Sequence, residues 1–218
     1  MNKAASVIIL CLAAATGAAR ADDDEHSKVM GSVHIEAGQH TGDATSVNGS
    51  VDIGANAVVK EATTVNGSIT MHEHSSAASV TTVNGSIRLE QGVRVAGEVT
   101  LVNGHISLDK DVDVGGKATN VNGAIQLTGA HVGGGIETTS GDIDIGADSH
   151  VEGGILVNPD RSWFSWGSPR IPRVVIGPGA VVKGTLTFKR EVKLFVSDRA
   201  TIGAVSGATV TKFAGAQP

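Results

Sequence analysis

The residues best able to do chemistry are few and widely spaced. His72-Glu73-His74 is the densest group of metal-capable side chains. On an extended strand, residues two apart share a face, so the two imidazoles would point the same way. A structural zinc site wants four ligands, and two fall short of one. No metal or cofactor is therefore expected. His105 is the nearest candidate for an acyltransferase base working between stacked turns, but it stands alone. Asp52, Arg88 and Asp144 carry charge, while Thr70, Ser107 and Gln126 fill the equivalent positions elsewhere. Acid–base chemistry on a polysaccharide needs such groups gathered on one face. Charges spread singly among Thr, Ser and Gln describe a solvated surface, so no catalytic residue is assigned. Asp22-Asp23-Asp24-Glu25 lacks the shaped loop that gives calcium its six or more oxygens, and it is expected to be a disordered acidic arm. Trp163, Phe164 and Trp166 fall in one short stretch. They read either as packing for the end of the fold or as a partner-binding loop.

What must position these groups is a repeat. Val-Asn-Gly recurs at Asn48, Asn66, Asn84, Asn103 and Asn122, with spacings of 18, 18, 19 and 19 residues. A fixed period of this length marks stacked repeats. Within one period, Ser86-Ile87-Arg88-Leu89, Val93-Arg94-Val95 and Glu98-Val99-Thr100-Leu101 alternate apolar and polar, and Gly-containing corners separate them. Small or apolar residues fall six apart at Ile53, Val59, Val65, Met71, Ala77, Val83, Leu89, Val95 and Leu101, the beat of a three-sided prism. Ile69, Ile87, Ile106, Ile125 and Ile143 are expected to form an inward column beside Met71, Leu89, Leu108, Leu127 and Ile145. The predicted fold is all-β: a single-stranded parallel β-helix with three short strands per turn of 18–19 residues. Stacked turns lie about 4.8 Å apart, so the asparagines should form a hydrogen-bonded column along the axis.

Composition agrees with thin, stacked turns. The 218 residues include 29 Gly, no Tyr and 3% aromatics, too few for an aromatic-rich core. All six aromatics (Trp163, Phe164, Trp166, Phe188, Phe195, Phe213) lie in the last third and are expected to cap that end. Residues 1–21 have the form of a signal peptide: Lys3, an apolar run over 4–15 and Ala19-Arg20-Ala21 as the cleavage site. The apolar run is too short to span a bilayer. Cleavage would remove Cys11, the sole cysteine, and leave 15 of the 17 basic residues against 22 acidic ones, a net charge of −7. That sign disfavours nucleic acid and anionic lipid. The expected organisation is therefore a leader over 1–21, an arm over 22–28 and a solenoid over 29–205. An aromatic insertion occupies 160–172, and a flexible tail occupies 206–218.

Ile176-Gly177-Pro178-Gly179-Ala180-Val181-Val182-Lys183-Gly184, with copies at 53–61 and 145–153, resembles the bactofilin or polymer-forming family of bacterial β-helices. The Val-Asn-Gly-Ser-Ile turns look like the putative-adhesin solenoids of bacterial envelopes. Together the likenesses cover residues 29–203. They imply a β-solenoid scaffold, and the bactofilin likeness implies end-to-end polymerisation without nucleotide. The leader and the aromatic insertion depart from the mostly cytoplasmic bactofilin pattern. The expected function is a non-catalytic structural or adhesive rod, exported to the periplasm or cell surface. Its expected partners are an envelope polysaccharide or protein, or a second copy joined through the terminal turns. The alternative is a β-helix that binds or acts on polysaccharide. The end carrying Val29-Met30-Gly31 is expected to be the more open to self-association, and the opposite end to be covered by Phe188 and Phe195.

Overall fold

The computed structural model describes residues 26–159 and 170–218. Residues 1–21, expected to be a leader, Asp22 to Glu25, and Trp163, Phe164 and Trp166 lie outside the described residues. All regular structure within them is β. The strands stack in parallel as a solenoid of about nine turns, which at a spacing of about 4.8 Å makes a rod roughly 40 Å long. Each full turn offers one strand to each of three faces. The first face holds Ala44–Asn48, Glu61–Asn66, Ala118–Asn122 and their equivalents. The second holds Val51–Ile53, Ile69–Met71 and Ile125–Leu127. The third holds two-residue strands such as Arg94–Val95 and His131–Val132. Two strands, Ser79–Leu89 and Val99–Leu108, run through the corner between the first two faces and merge them into one 18-stranded sheet. The third face is a separate seven-stranded sheet.

Alternation sets which side chains enter the core. In Val51-Asp52-Ile53 the two apolar residues are fully buried and Asp52 faces out. In-register pairing repeats this in successive turns, so Ile53 stacks on Met71 and Met71 on Leu89. These interior columns are aliphatic, since one turn offers each of them a single slot.

The six-residue beat holds at Ile53, Val59, Met71, Ala77, Leu89 and Val95, which lie in the main core. Leu101 lies in the same core, but Val65 and Val83 do not. Val65 and Val83 belong to a separate cluster with Val102 and Val121, outside the main core. Leu101 is buried, but it pairs with Thr82 and not with Val83. Val65 and Val83 follow the inward Thr64 and Thr82 and so face outward; Leu101 changes partner because of one extra residue between Val95 and Val99. Val95 pairs with Ala77, 18 residues back, whereas Val99 pairs with Val80, 19 back.

The ends also differ from expectation. The first strand is His26–Met30, so residues 26–28 belong to the stack and not to an arm. At the other end, Val205–Ser206 pairs with Leu186–Phe188 and Val210–Phe213 pairs with Lys193–Ser197. Residues 206–213 thus complete a last turn where a loose tail was expected. Phe188 is buried at 5% exposure within an interior column, and Phe195 faces outward under the Arg173 guanidinium, 5.2 Å from its ring centre. Neither forms a cap.

Candidate functional surfaces

The Asn-Gly corner joins the first and second faces. Each asparagine donates from Nδ2 to the Oδ1 of the one before it: Asn66 to Asn48 at 2.9 Å, Asn84 to Asn66 at 3.1 Å, Asn103 to Asn84 and Asn122 to Asn103 at 3.0 Å. The column is solvent-exposed along its length. Beside it the glycines pack backbone on backbone. A Cβ on Gly67 would lie 2.2 Å from the carbonyl oxygen of Gly49. The close approach of successive turns therefore demands glycine there, and Gly85, Gly104 and Gly123 also take positive φ, at 151°, 141° and 121°.

Inside the same corner runs a polar column that sequence reading missed. Ser46, Thr64 and Thr82 are buried, and each hydroxyl donates to the corner carbonyl one turn back: Gly31 at 3.0 Å, Gly49 at 2.8 Å and Gly67 at 3.0 Å. Asn120 does the same to Gly104 at 2.9 Å. Leu101 interrupts the series where Gly104 and Gly85 pair directly within the sheet. The available signal was a hydroxyl two residues before Asn48, Asn66 and Asn84, at positions that alternation places inward.

On the second face, four residues from successive turns meet. Asp52 Oδ2 lies 2.9 Å from His34 Nδ1, and Asp52 Oδ1 lies 2.9 Å from His72 Nε2. His72 Nδ1 lies 3.0 Å from Glu90 Oε2. Both nitrogens of His72 face carboxylates, an arrangement only the doubly protonated ring can satisfy with two donors. Glu90 above all, then Asp52, holds the imidazolium above the ordinary histidine value, against an opposing pull from partial burial. His74 does not join it. It sits past the strand in a corner with φ of 60°, against Gly92 of the next turn. The two imidazoles of His72-Glu73-His74 therefore diverge.

Arg88 and Asp144 share the outward column of Asp52, separated by other turns. Partial burial raises the Asp144 carboxyl against the pull of Arg173. His105 stands half-buried beside Gly104, in register with Ser86.

A shallow notch lies along the third face, lined by Asp111, Asp113, His131, Asp148, His150 and Glu152. It forms where one corner is a residue short: Leu127 leads to His131 in four steps, whereas Leu108 leads to Asp113 in five. Its charges pair across turns. Asp113 Oδ1 lies 2.6 Å from His131 Nδ1, and Glu152 Oε2 lies 2.8 Å from Lys183 Nζ. Lys183 foremost draws the Glu152 carboxyl below its usual range. Among the described residues no group of three or more His, Cys, Asp or Glu is arranged to hold a metal ion.

The insertion leaves the stack undisturbed, since Ile155 pairs with Leu186 and Ile143 with Val174. Its base is held from both sides. Asn158 Nδ2 donates to Glu137 at 2.8 Å, Arg173 N donates to Asp142 at 2.9 Å, and Arg190 bonds the carbonyls of Thr139 at 3.1 Å and Arg170 at 2.9 Å. Among the described residues no helix is long and apolar enough to cross a membrane. Comparison with known protein families, with curated proteins and with solved structures finds no match to this chain.

Proposed function

We propose that this chain is an exported, non-catalytic structural or adhesive rod of the bacterial cell envelope. The observation that carries the reading is the use made of the polar groups. The asparagine column, the buried hydroxyl column and the acid–histidine series all bond along the axis, one turn to the next. Polar residues spent on joining turns serve the persistence of a rod. The leader motif at 1–21 supports export, and the solenoid supports a scaffold or display role. The insertion at the Asn-Gly corner is the natural place for a partner-binding loop carrying Trp163, Phe164 and Trp166. An envelope polysaccharide or protein is the expected partner.

A tagged chain expressed in a bacterium should appear in the periplasmic or surface fraction with its N-terminus at Asp22. Full retention in the cytoplasm with Met1 intact would overturn the export reading. A second reading, action on polysaccharide, draws on the notch at Asp113, His131 and Glu152. It requires new reducing ends or unsaturated products from envelope polysaccharides, lost in Asp113→Asn and Glu152→Gln. The rod reading expects none from the parent protein.

A further inference from the structure

Goings-on at the two ends bear on how the rod meets a second copy of itself. A solenoid terminates in turns whose outer backbone groups have no neighbour, and such edges template the addition of another strand. Here each end turn supplies all three faces. The first has His26–Met30, Val33–Ile35 and His40, and the last has Thr201–Ile202, Val205–Ser206 and Val210–Phe213. Backbone geometry alone would let one copy continue the ladder of the next.

The inward columns do not continue in the same way. On the second face one column runs through Ile35, Ile53, Met71, Leu89, Leu108, Leu127, Ile145, Ile176 and Val196, every member buried. Its next member, by register with Val196, is Lys212, which is exposed. On the first face the column of buried hydroxyls runs back from Thr82 through Thr64 and Ser46. By register with Ser46, its outermost member is Lys28. The Lys28 ammonium turns across the corner and donates to the Ser32 carbonyl at 2.7 Å. Beside it, His26 stands over the Ala44 column. One interior slot at each extremity thus ends in a lysine, Lys28 on the first face and Lys212 on the second, while neighbouring columns end in Val33 and Ile35 or in Val205 and Val210.

We propose that Lys28 and Lys212 are end plugs that keep this rod from joining head to tail with a second copy. This goes beyond the envelope-rod reading and stands whichever compartment the protein occupies. Head-to-tail stacking would bring the Lys28 end of one copy onto the Lys212 end of another. Both ammonium groups would then be drawn into interior slots, Lys212 onto the Ile35 column of the next copy, and stripped of water. An unpaired charge so enclosed opposes the contact strongly, and inward-pointing charge is a recognised protection for sheet edges. Val29 and Met30 are the most exposed large apolar residues at the first turn, at 65% and 81%. They lie beside the plug and favour association once it is removed.

The test replaces each plug by the residue one turn inward, Lys28→Ser and Lys212→Val, singly and together. Analytical ultracentrifugation over a wide concentration range should show the parent protein as one species. The double variant should form a concentration-dependent series of head-to-tail oligomers, with average mass rising several-fold. Elongated particles several times the parent length should be seen by negative-stain microscopy. The proposal falls if the parent itself forms such chains, or if the double variant keeps the parent's circular dichroism and stays a single species throughout. Should the double variant fail to fold, Lys28→Gln with Lys212→Met serves in its place, judged by the same two outcomes. The parent at a pH above the lysine value of about 10.4 supplies an independent check: association on discharge supports the plugs, and a folded single species overturns them.

Discussion

At the Asn-Gly corner three neighbouring residues do different jobs, and substitution should separate them. Asn84 is exposed, so water can replace the lost amide. Asn84→Ala should cost about 0.5–1.5 kcal/mol, the net worth of ordinary hydrogen bonds. Thr82 is buried, and Thr82→Val leaves the Gly67 carbonyl without its side-chain donor inside the fold. That change should cost about 1–3 kcal/mol, the penalty for a buried unmade partner. Gly67→Ala places a methyl 2.2 Å from a backbone oxygen that only a shift of the whole turn can relieve. It should be the most damaging of the three, at about 3 kcal/mol or more. Urea denaturation of the three variants beside Arg88→Ala, an exposed control, checks the order. If Asn84→Ala outranks Thr82→Val, the buried hydroxyl column is not what clamps the corner.

The strands of the second face carry a pH dependence through the acid–histidine series. Folding raises the His72 value, so the folded state binds the proton more tightly than the unfolded chain does. The stability this supplies is fully present below the unfolded histidine value of about 6.5 and is lost as pH rises through the raised folded value. The first turns should therefore be firmest in mildly acidic solution and loosen above neutrality. His72 is partly open to solvent, which limits the size of the effect. The melting temperature of the parent minus that of His72→Gln should fall as pH rises from 5.5 to 8.5. A flat or rising difference would show that the series carries no proton-linked stability. Amide exchange in Val51–Ile53 and Ile69–Met71 should follow the same trend.

For the whole molecule, stability is the sum of neighbouring interfaces, and a turn is an exchangeable unit. Ile69 pairs with Ile87, so excising residues 69–86 joins Ser68 to Ile87 in the same register. Arg88 then stands beside Asp52, an opposite-charge neighbour, and the asparagine column closes from Asn66 to Asn103. The shortened protein should fold cooperatively, with X-ray scattering giving a rod shorter by about 4.8 Å. Collapse to an unfolded chain would show that the turns are not interchangeable. Excision leaves Lys28 and Lys212 in place, so the shortened rod should stay single like its parent.

The sequence by itself determined the architecture, because period and alternation are properties of consecutive residues. Asn48 to Asn122 at spacings of 18 and 19, and alternation in stretches such as Val51-Asp52-Ile53, suffice to specify stacked parallel strands. Tertiary structure decided everything that depends on which residue of one turn stands over which residue of another. A single extra residue before Val99 moved Leu101 onto Thr82, while alternation with the buried Thr64 and Thr82 had already left Val65 and Val83 outside the core. His72 meets Asp52 and Glu90 across 20 and 18 residues, while His74, its neighbour by two, turns away at a corner with positive φ. Asp113 and Glu152 reach one notch because an intervening corner is a residue short. Lys28 and Lys212 look like ordinary surface lysines until register sets them at the mouths of interior columns. Register accumulates over every preceding corner, and each corner gains or loses a residue by local geometry that period alone cannot report.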